Sequence, residues 1–221
     1  MSEILLLNFI HLLLFVYWLG GDLGTFYASR FVARADLTVA QRSTALNIML
    51  GVDQGPRLCM PLILPSGLHL GAVLGMIQLP ASMVLLVWLI GLFWFAMVLV
   101  LHFVKGKPWL AGLGRFDFVF RCVVIGLCLL LAATVLLAEP WLTARMAVKL
   151  TVFAGLVGCG LGIRLALKPF MQAWQQMIQH GIQPQSDRSM QQALAKARWY
   201  VYTIWLGLLI NAAIGTHLIQ L

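Results

Sequence analysis

The chain has 221 residues, of which 62% are hydrophobic and only 10% are charged. Because a soluble domain carries about 25% charged residues, this composition excludes a soluble enzyme, a disordered protein and a nucleic-acid-binding domain. The formal net charge of +8 does not change this, since most basic side chains lie in or beside the loops between apolar segments. The composition therefore predicts an integral membrane protein with no nucleic-acid partner.

Six apolar segments are long enough to cross a membrane, since a hydrocarbon core of about 30 Å needs about 20 helical residues. In chain order they are residues 4–29, 57–78, 81–104, 115–138, 141–166 and 199–220. The N-terminal residues show no basic region or small-residue cleavage site, so we expect the first segment to remain a structural helix. The predicted fold is all-α, a bundle of six transmembrane helices forming one domain over residues 1–221.

The first loop between spans contains a predicted helix. Thr38 opens a capping-box pattern, which predicts a short amphipathic helix over about residues 38–52. The dipeptide Gly55-Pro56 is expected to break that helix before the second span begins. This loop is therefore predicted to be ordered.

The fifth loop also contains a predicted helix, over about residues 168–181. Its apolar residues recur at helical spacing on one side, a pattern typical of a helix lying in the membrane interface. A face that docks a protein is the alternative interpretation. A further helix is expected to begin near Pro184 and to continue into the last span.

The distribution of basic residues predicts the orientation. Thirteen of the fifteen Lys and Arg lie in or beside loops one, three and five, whereas Arg145 and Lys149 lie toward the other side. The positive-inside rule then predicts that these three loops are cytoplasmic and that both termini lie outside. The predicted location is a bacterial inner membrane, crossed several times, whose anionic lipid contacts the basic loops.

Four polar side chains from four spans are predicted to share one level in the outer half of the membrane. His11 and Lys149 each lie about 8 residues, roughly 12 Å, below the outer surface, and His69 lies roughly 15 Å below it. Asn211 comes out at about the same level and is a candidate for cofactor binding. Polar groups within spans are costly and usually face the interior of the bundle, so these four are functional candidates.

Two histidines on neighbouring helices at matching depth are able to ligate a haem iron from both faces. We therefore expect haem b as the cofactor and His11 and His69 as its metal ligands. A hydrogen-bonded pair of histidines without a cofactor is the alternative. Trp18 and Tyr27 are expected to pack near the ring. Lys149 is expected to tune or protonate the site or to hold a porphyrin propionate, unless it extends to the outer surface.

A second polar layer is predicted at the cytoplasmic ends of the spans. Its members are Asp22, Arg30, Asp53, Arg57, Arg121 and Arg164. Asp22 and Arg121 both lie a turn or two inside the membrane, so they are predicted to pair across helices. Copper has weak support, because neighbouring Cys59 and Met60 point to different faces of a helix.

Three spans carry motifs of a known group. They are His11, Trp18, Gly20-Gly21, Phe26-Tyr27 and Arg30-Phe31 in span one, Arg57, Pro61, Pro65 and Gly67 in span two, and Trp141-Leu142 and Lys149-Leu150 in span five. Over about half the chain, these residues resemble the copper-resistance D (CopD) and HemJ-type protoporphyrinogen oxidase group. The resemblance implies haem binding, and it implies Lys149 and Arg57 as catalytic residues. HemJ-type enzymes are shorter four-helix proteins, and a histidine common after the Lys-Leu pair is missing here.

The predicted function is electron transfer between a membrane quinone or porphyrin and a partner redox protein. One alternative is a copper-import or transport protein of the CopD type, in which the polar level is a permeation site. The other is a membrane anchor subunit for a soluble dehydrogenase, docked on the fifth loop. The sequence contains no nucleotide-binding glycine loop and no nucleophile with an adjacent base. An enzymatic activity, with HemJ-like protoporphyrinogen oxidation as the specific candidate, therefore depends on the resemblance alone.

Overall fold

The structure, a computed structural model, describes residues 2–137 and 140–219. Their α-helices are α1 (Ser2–Val32), α2 (Val39–Val52), α3 (Gln54–Val73), α4 (Ala81–Phe103), α5 (Leu110–Ala133), α6 (Ala144–Ala166), α7 (Lys168–His180) and α8 (Pro184–Gly215). A short 3-10 helix, Thr134–Leu136, extends α5. The described residues form no β-strand, so the all-α prediction is confirmed for them.

Four helical segments are long and apolar enough to cross a membrane. They are Glu3–Val32, Ala81–Phe103, Leu110–Leu136 and Ala144–His180, the last of which combines α6 and α7. The remaining two predicted spans, 57–78 and 199–220, overlap α3 and the second half of α8, and neither helix is among those four segments. The predicted second span runs five residues past the end of α3 at Val73. The predicted span ends at residues 138 and 220 lie outside the described residues.

Helices α1 and α8 are longer than a hydrocarbon core is thick. Their 31 and 32 residues extend about 46–48 Å at 1.5 Å per residue, against about 30 Å for the core. The surplus of α1 is at its C-terminal end and that of α8 at its N-terminal end, where both contact the short loop helices. The prediction that α8 begins near Pro184 and runs on without a break is confirmed.

The larger of two hydrophobic cores lies among α1, α3, α4, α5, α6 and α8. Small residues set the spacing of these helices, because they let backbones approach closely. A Cβ on Gly91 of α4 would lie 2.7 Å from Cγ of Pro65, and one on Gly207 of α8 would lie 2.7 Å from Cδ2 of Leu156. These glycines are therefore packing residues at helix contacts.

The capping box at the start of α2 is confirmed. The backbone N–H of Gln41 donates to Oγ1 of Thr38 over 3.3 Å, and the backbone N–H of Thr38 donates to Oε1 of Gln41 over 3.0 Å. The predicted break at Gly55-Pro56 is displaced, since the turn falls at Asp53 and α3 begins immediately after it. Proline fits the first turn of a helix, where its missing N–H has no intrahelical partner to lose.

The apolar face of α7 packs against protein, where the sequence predicts lipid. Phe170, Trp174 and Met177 are buried, whereas Met171 and Ile178 are exposed. The buried side chains belong to a second, smaller core formed by the end of α1 with α2, α7 and the first half of α8. Its buried members are Ala28, Val32, Ala33, Leu46, Met49, Phe170, Ala173, Trp174, Met177, Met190, Ala193 and Leu194.

One ion pair lies inside this small core. Arg42 is fully buried, and its two terminal nitrogens donate to the carboxylate of Asp187 over 2.6 and 3.2 Å. Its Nε donates to the carbonyl of Leu37 over 3.1 Å. The two parallel bonds fix the geometry of the pair, so α2 and the start of α8 are joined by a charged contact within an apolar surround.

Removing one partner of this pair should destabilise the protein. Arg42→Met is expected to lower the free energy of unfolding by about 3–5 kcal/mol, because it leaves the Asp187 carboxylate buried and unpaired. The measurement is thermal unfolding in detergent. Arg34→Met, which breaks the exposed pair of Arg34 with Asp36, is the matched control and should leave the midpoint unchanged. Full stability of Arg42→Met would contradict a structural role for the pair.

Candidate functional site

A cavity of about 480 Å³ lies between α1, α3, α6 and α8, within the size range of small-molecule sites. Its apolar walls include Phe15, Trp18, Ile63, Leu150 and Phe153. Besides the indole of Trp18, its nitrogen-bearing side chains are Asn8, His11, Arg145, Lys149, Asn211 and His217. The described lining contains no carboxylate, so the cavity has an apolar body and a cationic polar part.

His11 lines this cavity beside a serine. Oγ of Ser66 lies 3.1 Å from the carbonyl oxygen of Ile63 and 2.9 Å from Nδ1 of His11. When the hydroxyl donates to Ile63 it accepts from Nδ1–H of His11, and the neutral ring then has its lone pair on Nε2. A Cβ on Gly67 would lie 2.9 Å from Cε1 of His11, which shows that the glycine makes room for the ring.

Lys149 and Asn211 link α6 to α8 beside the same cavity. Nζ of Lys149 donates to the carbonyl of Asn211 over 3.4 Å, and Nδ2 of Asn211 donates to the carbonyl of Lys149 over 3.3 Å. Among the described residues, the side-chain oxygen of Asn211 is buried without a hydrogen-bond partner. An unsatisfied buried acceptor is costly, so a donor from a ligand would stabilise this side of the cavity.

The rim of the cavity carries a second cation and a second histidine. A terminal nitrogen of Arg145 donates to Nδ1 of His217 over 2.8 Å. His217 adopts φ 62°, a backbone conformation that is uncommon for residues other than glycine. Since Nδ1 of His217 accepts from arginine, the proton of the neutral ring is on Nε2 and no lone pair remains for a metal.

The structure does not bring His69 into the cavity of His11. Position 69 is two residues beyond Gly67 and therefore about 200° around α3, on the side that faces α4. Nδ1 of His69 accepts from Nε1 of Trp88 over 3.3 Å, and its Nε2 lies 3.4 Å from the carboxylate of Glu3. Both ring nitrogens of His69 therefore have a partner. Of the four residues predicted to share one level, His11, Lys149 and Asn211 line the cavity and His69 does not.

Of the other candidate residues, one lines the cavity and two lie outside it. Trp18 is buried and lines the cavity, with its ring edge-on to Phe153 at 6.4 Å. Tyr27 is exposed beside α2 and does not line the cavity. Arg57 is also outside it, and its Nε pairs with Asp53 over 2.5 Å. Of the two predicted catalytic residues, Lys149 therefore lines the cavity and Arg57 does not.

The predicted pairing of Asp22 with Arg121 is wrong. Nε of Arg121 donates to Asp117 over 3.0 Å, and a terminal nitrogen of Arg164 donates to the same carboxylate over 3.0 Å. One oxygen of Asp22 is buried without a partner among the described residues. The spacing of Asp117 and Arg121, four residues apart on one helix, is the signal that identifies the nearer partner.

No cluster of three or more His, Cys, Asp or Glu side chains is placed to hold a metal ion among the described residues. The four cysteines are free thiols, of which Cys59 and Cys128 are buried and Cys122 is exposed. Met60 beside Cys59 lies 3.7 Å from the guanidinium of Arg121. A cationic neighbour of this kind opposes a copper ion at the pair.

Filling the space under the histidine tests this geometry. Gly67→Ala should lower the free energy of unfolding by about 1–3 kcal/mol, because the new methyl group meets a ring held by Ser66. Gly20→Ala is the control, since a Cβ there has no neighbour within 4 Å, and it should be neutral or stabilising in mid-helix. Thermal unfolding of both variants gives the comparison, and equal midpoints would contradict the close contact of His11 with α3.

Comparison with protein-family models, curated proteins and solved structures finds no match to this chain. The resemblance to the CopD and HemJ-type group therefore stays a prediction from the residues that carry it.

Proposed function

We propose that the chain is a six-span protein of a bacterial inner membrane that binds haem b in this cavity, where His11 would hold the iron. In this proposal it passes electrons between a membrane quinone or porphyrin and a redox partner protein. The observation that carries the proposal is the contact between Nδ1 of His11 and Oγ of Ser66, which has the carbonyl of Ile63 as its acceptor. With that hydroxyl proton on Ile63, Nδ1 of His11 donates to Ser66 and Nε2 is left as the ligand atom. Histidines that ligate metals usually donate their other ring N–H in this way.

The membrane placement is supported by charge and by helix length. Thirteen of the fifteen basic residues lie in or beside the loops predicted to be cytoplasmic, as the positive-inside rule requires. The surplus ends of α1 and α8 lie on that same side and meet α2 and α7 in the small core. In this arrangement the small core is a cytoplasmic layer beneath the bundle, and the cavity lies in the outer half of the membrane.

The residues of the cavity fit a porphyrin. Its apolar walls suit a largely apolar macrocycle, and the rings of Trp18 and Phe153 are available to contact a flat surface. Arg145 and Lys149 are the cations of the described lining, which contains no carboxylate. Guanidinium and ammonium groups are the natural partners of ring carboxylates. When bound, a haem supplies one-electron transfer, and the protein holds and orients it.

His11 is the histidine proposed as ligand, and His69, which the sequence predicts as the second ligand, is not part of this proposal. A neutral His69 that accepts from Trp88 at Nδ1 carries its proton on Nε2, toward Glu3. His217 is protonated on Nε2 for the corresponding reason. Of the three, His11 alone lines the cavity with a neighbour able to accept its Nδ1–H.

Lys149 is proposed to hold a carboxylate or a proton next to the ligand. Its Nζ has a single weak acceptor, the carbonyl of Asn211, so two of its protons are left for a ligand. A Cβ on Gly215 would lie 3.0 Å from Nζ, and the glycine therefore leaves the ammonium room to move.

No feature of the described residues favours copper import or the docking of a soluble dehydrogenase. Copper import through this cavity is opposed by the two cations, Arg145 and Lys149, that line it. A dehydrogenase docked on the apolar face of α7 is opposed by the burial of that face in the small core, where Met177 is completely covered.

A difference spectrum of paired histidine variants tests the cofactor. The purified wild type, expressed with ample haem, should show Soret and α bands in its reduced-minus-oxidised spectrum. His11→Ala should lower haem occupancy at least about tenfold, because it removes the ligand. His69→Ala is the matched control and should keep the occupancy near that of the wild type. A wild type without these bands would overturn the proposal, and loss of haem in His69→Ala alone would overturn the choice of ligand.

Cysteine labelling tests the orientation. Gln78→Cys, in the exposed outer segment between α3 and α4, should react with a membrane-impermeant maleimide in intact cells. Lys107→Cys, between α4 and α5, should react at least about tenfold less until the cells are permeabilised. The wild type, which has four free cysteines, measures the background. Reaction of Lys107→Cys in intact cells would contradict the predicted topology.

A further inference from the structure

Two arginines from different helices lie over one aromatic ring at the end of the bundle away from the cavity. The guanidinium carbon of Arg30, on α1, is 5.1 Å from the centroid of the Phe26 ring, and that of Arg198, on α8, is 5.8 Å from it. Both distances are in the range of a cation–π contact. Phe26 therefore lies within contact distance of two like charges where α1 meets α8.

Neither arginine forms an ion pair with a carboxylate of the described residues. Three other arginines do, since Arg42 pairs with Asp187, and Arg121 and Arg164 share Asp117. Like charges without a counter-charge repel each other. Arg30 and Arg198 therefore lack the anion that completes the other clusters.

Hydrogen-bond donors around Phe26 are also without acceptors. Nε of Arg198 is buried and has no partner among the described residues. The same is true of Nε1 of Trp205, whose ring lies 5.1 Å from that of Phe26. An indole N–H and a guanidinium N–H only donate, so the group that satisfies them must be an acceptor, and the charges require it to be negative.

The surroundings place this site at the level of lipid head groups. Aromatic side chains with a polar edge collect at that level in membrane proteins. Trp199, Tyr200 and Tyr202 follow Arg198 on α8, and all three are exposed. Arg30 is exposed as well, near the C-terminal end of α1. A ligand reaching this position from the membrane presents its phosphate to the arginines and its acyl chains to the apolar surface above them.

We propose that Arg30 and Arg198, positioned by Phe26, bind the phosphate of an anionic phospholipid of the cytoplasmic leaflet. A phosphodiester supplies the negative charge and the acceptor oxygens that these donors lack, and arginine suits phosphate geometrically. The inference rests on the membrane placement proposed above but not on the ligand of the cavity.

Native mass spectrometry of protein released from detergent micelles containing phosphatidylglycerol tests the site. Arg30→Gln/Arg198→Gln should retain about tenfold less bound phosphatidylglycerol than the wild type, since charge-assisted bonds are lost. Lys107→Gln/Arg115→Gln is the matched control, because it removes two exposed charges, one from the loop between α4 and α5 and one from the second turn of α5. The control should retain phosphatidylglycerol to within about twofold of the wild type.

Several results would overturn the proposal. Equal retention by the test and control variants would mean that phosphatidylglycerol responds to net charge alone. Displacement of the lipid from the wild type by millimolar inorganic phosphate would assign the site to a free anion. Arg30→Gln alone, at an exposed position that packing does not depend on, should lose about threefold, and unchanged retention in that variant would exclude the site even where the double variant unfolds. The haem spectrum, read on the same samples, reports the cavity independently.

Discussion

A polar atom inside an apolar bundle has to find a partner, and the partners available decide what each side chain is able to do. In this chain the constraint acts most clearly on the histidines. Each ring has one proton to place between two nitrogens, and the neighbour determines which nitrogen carries it. The Ser66 hydroxyl, when it donates to the carbonyl of Ile63, accepts the proton that His11 carries on Nδ1. The indole of Trp88 assigns the proton of His69 to Nε2.

The same constraint separates a ligand from a structural residue at equal depth. Ring type and level in the membrane are alike for His11 and His69, and depth counted along the chain does not distinguish them. The difference comes from the groups that contact each ring, a serine at His11 and a tryptophan with a glutamate at His69. A metal needs a lone pair that faces open space, and these neighbours leave one at His11 and none at His69. The cavity chemistry thus depends on residues that never touch the ligand.

Much of the fold was predictable because hydrophobic periodicity and helix caps are local properties. Apolar runs of about 20 residues identify the four segments that are apolar enough to cross a membrane, and the capping box at Thr38 identifies the start of α2. What covers the apolar face of α7 was not predictable in this way. Such a face requires a nonpolar cover, and lipid and protein satisfy that requirement equally well, so the choice depends on the extension of α1 and α8 beyond the bundle.

The site was predictable only in part for a related reason. Alternating helix direction brings His11, Lys149 and Asn211 to one level, and they do line one cavity. Rotation of each helix about its own axis is not contained in that reasoning. A residue two positions along α3 faces the opposite side, which separates His69 from the contact that Gly67 makes with α1.

The arginines of this bundle are placed in two kinds of surroundings. In the small core the carboxylate of Asp187 pairs with Arg42 inside the protein, and the carboxylate of Asp117 pairs with Arg121 and Arg164. Around the cavity and around Phe26, cations converge without an ion pair to a described carboxylate. Unpaired cations in a low-dielectric surround are costly, so they persist where something else supplies the negative charge. In our interpretation a porphyrin supplies it in the outer half of the membrane, and the lipid itself supplies it at the inner surface.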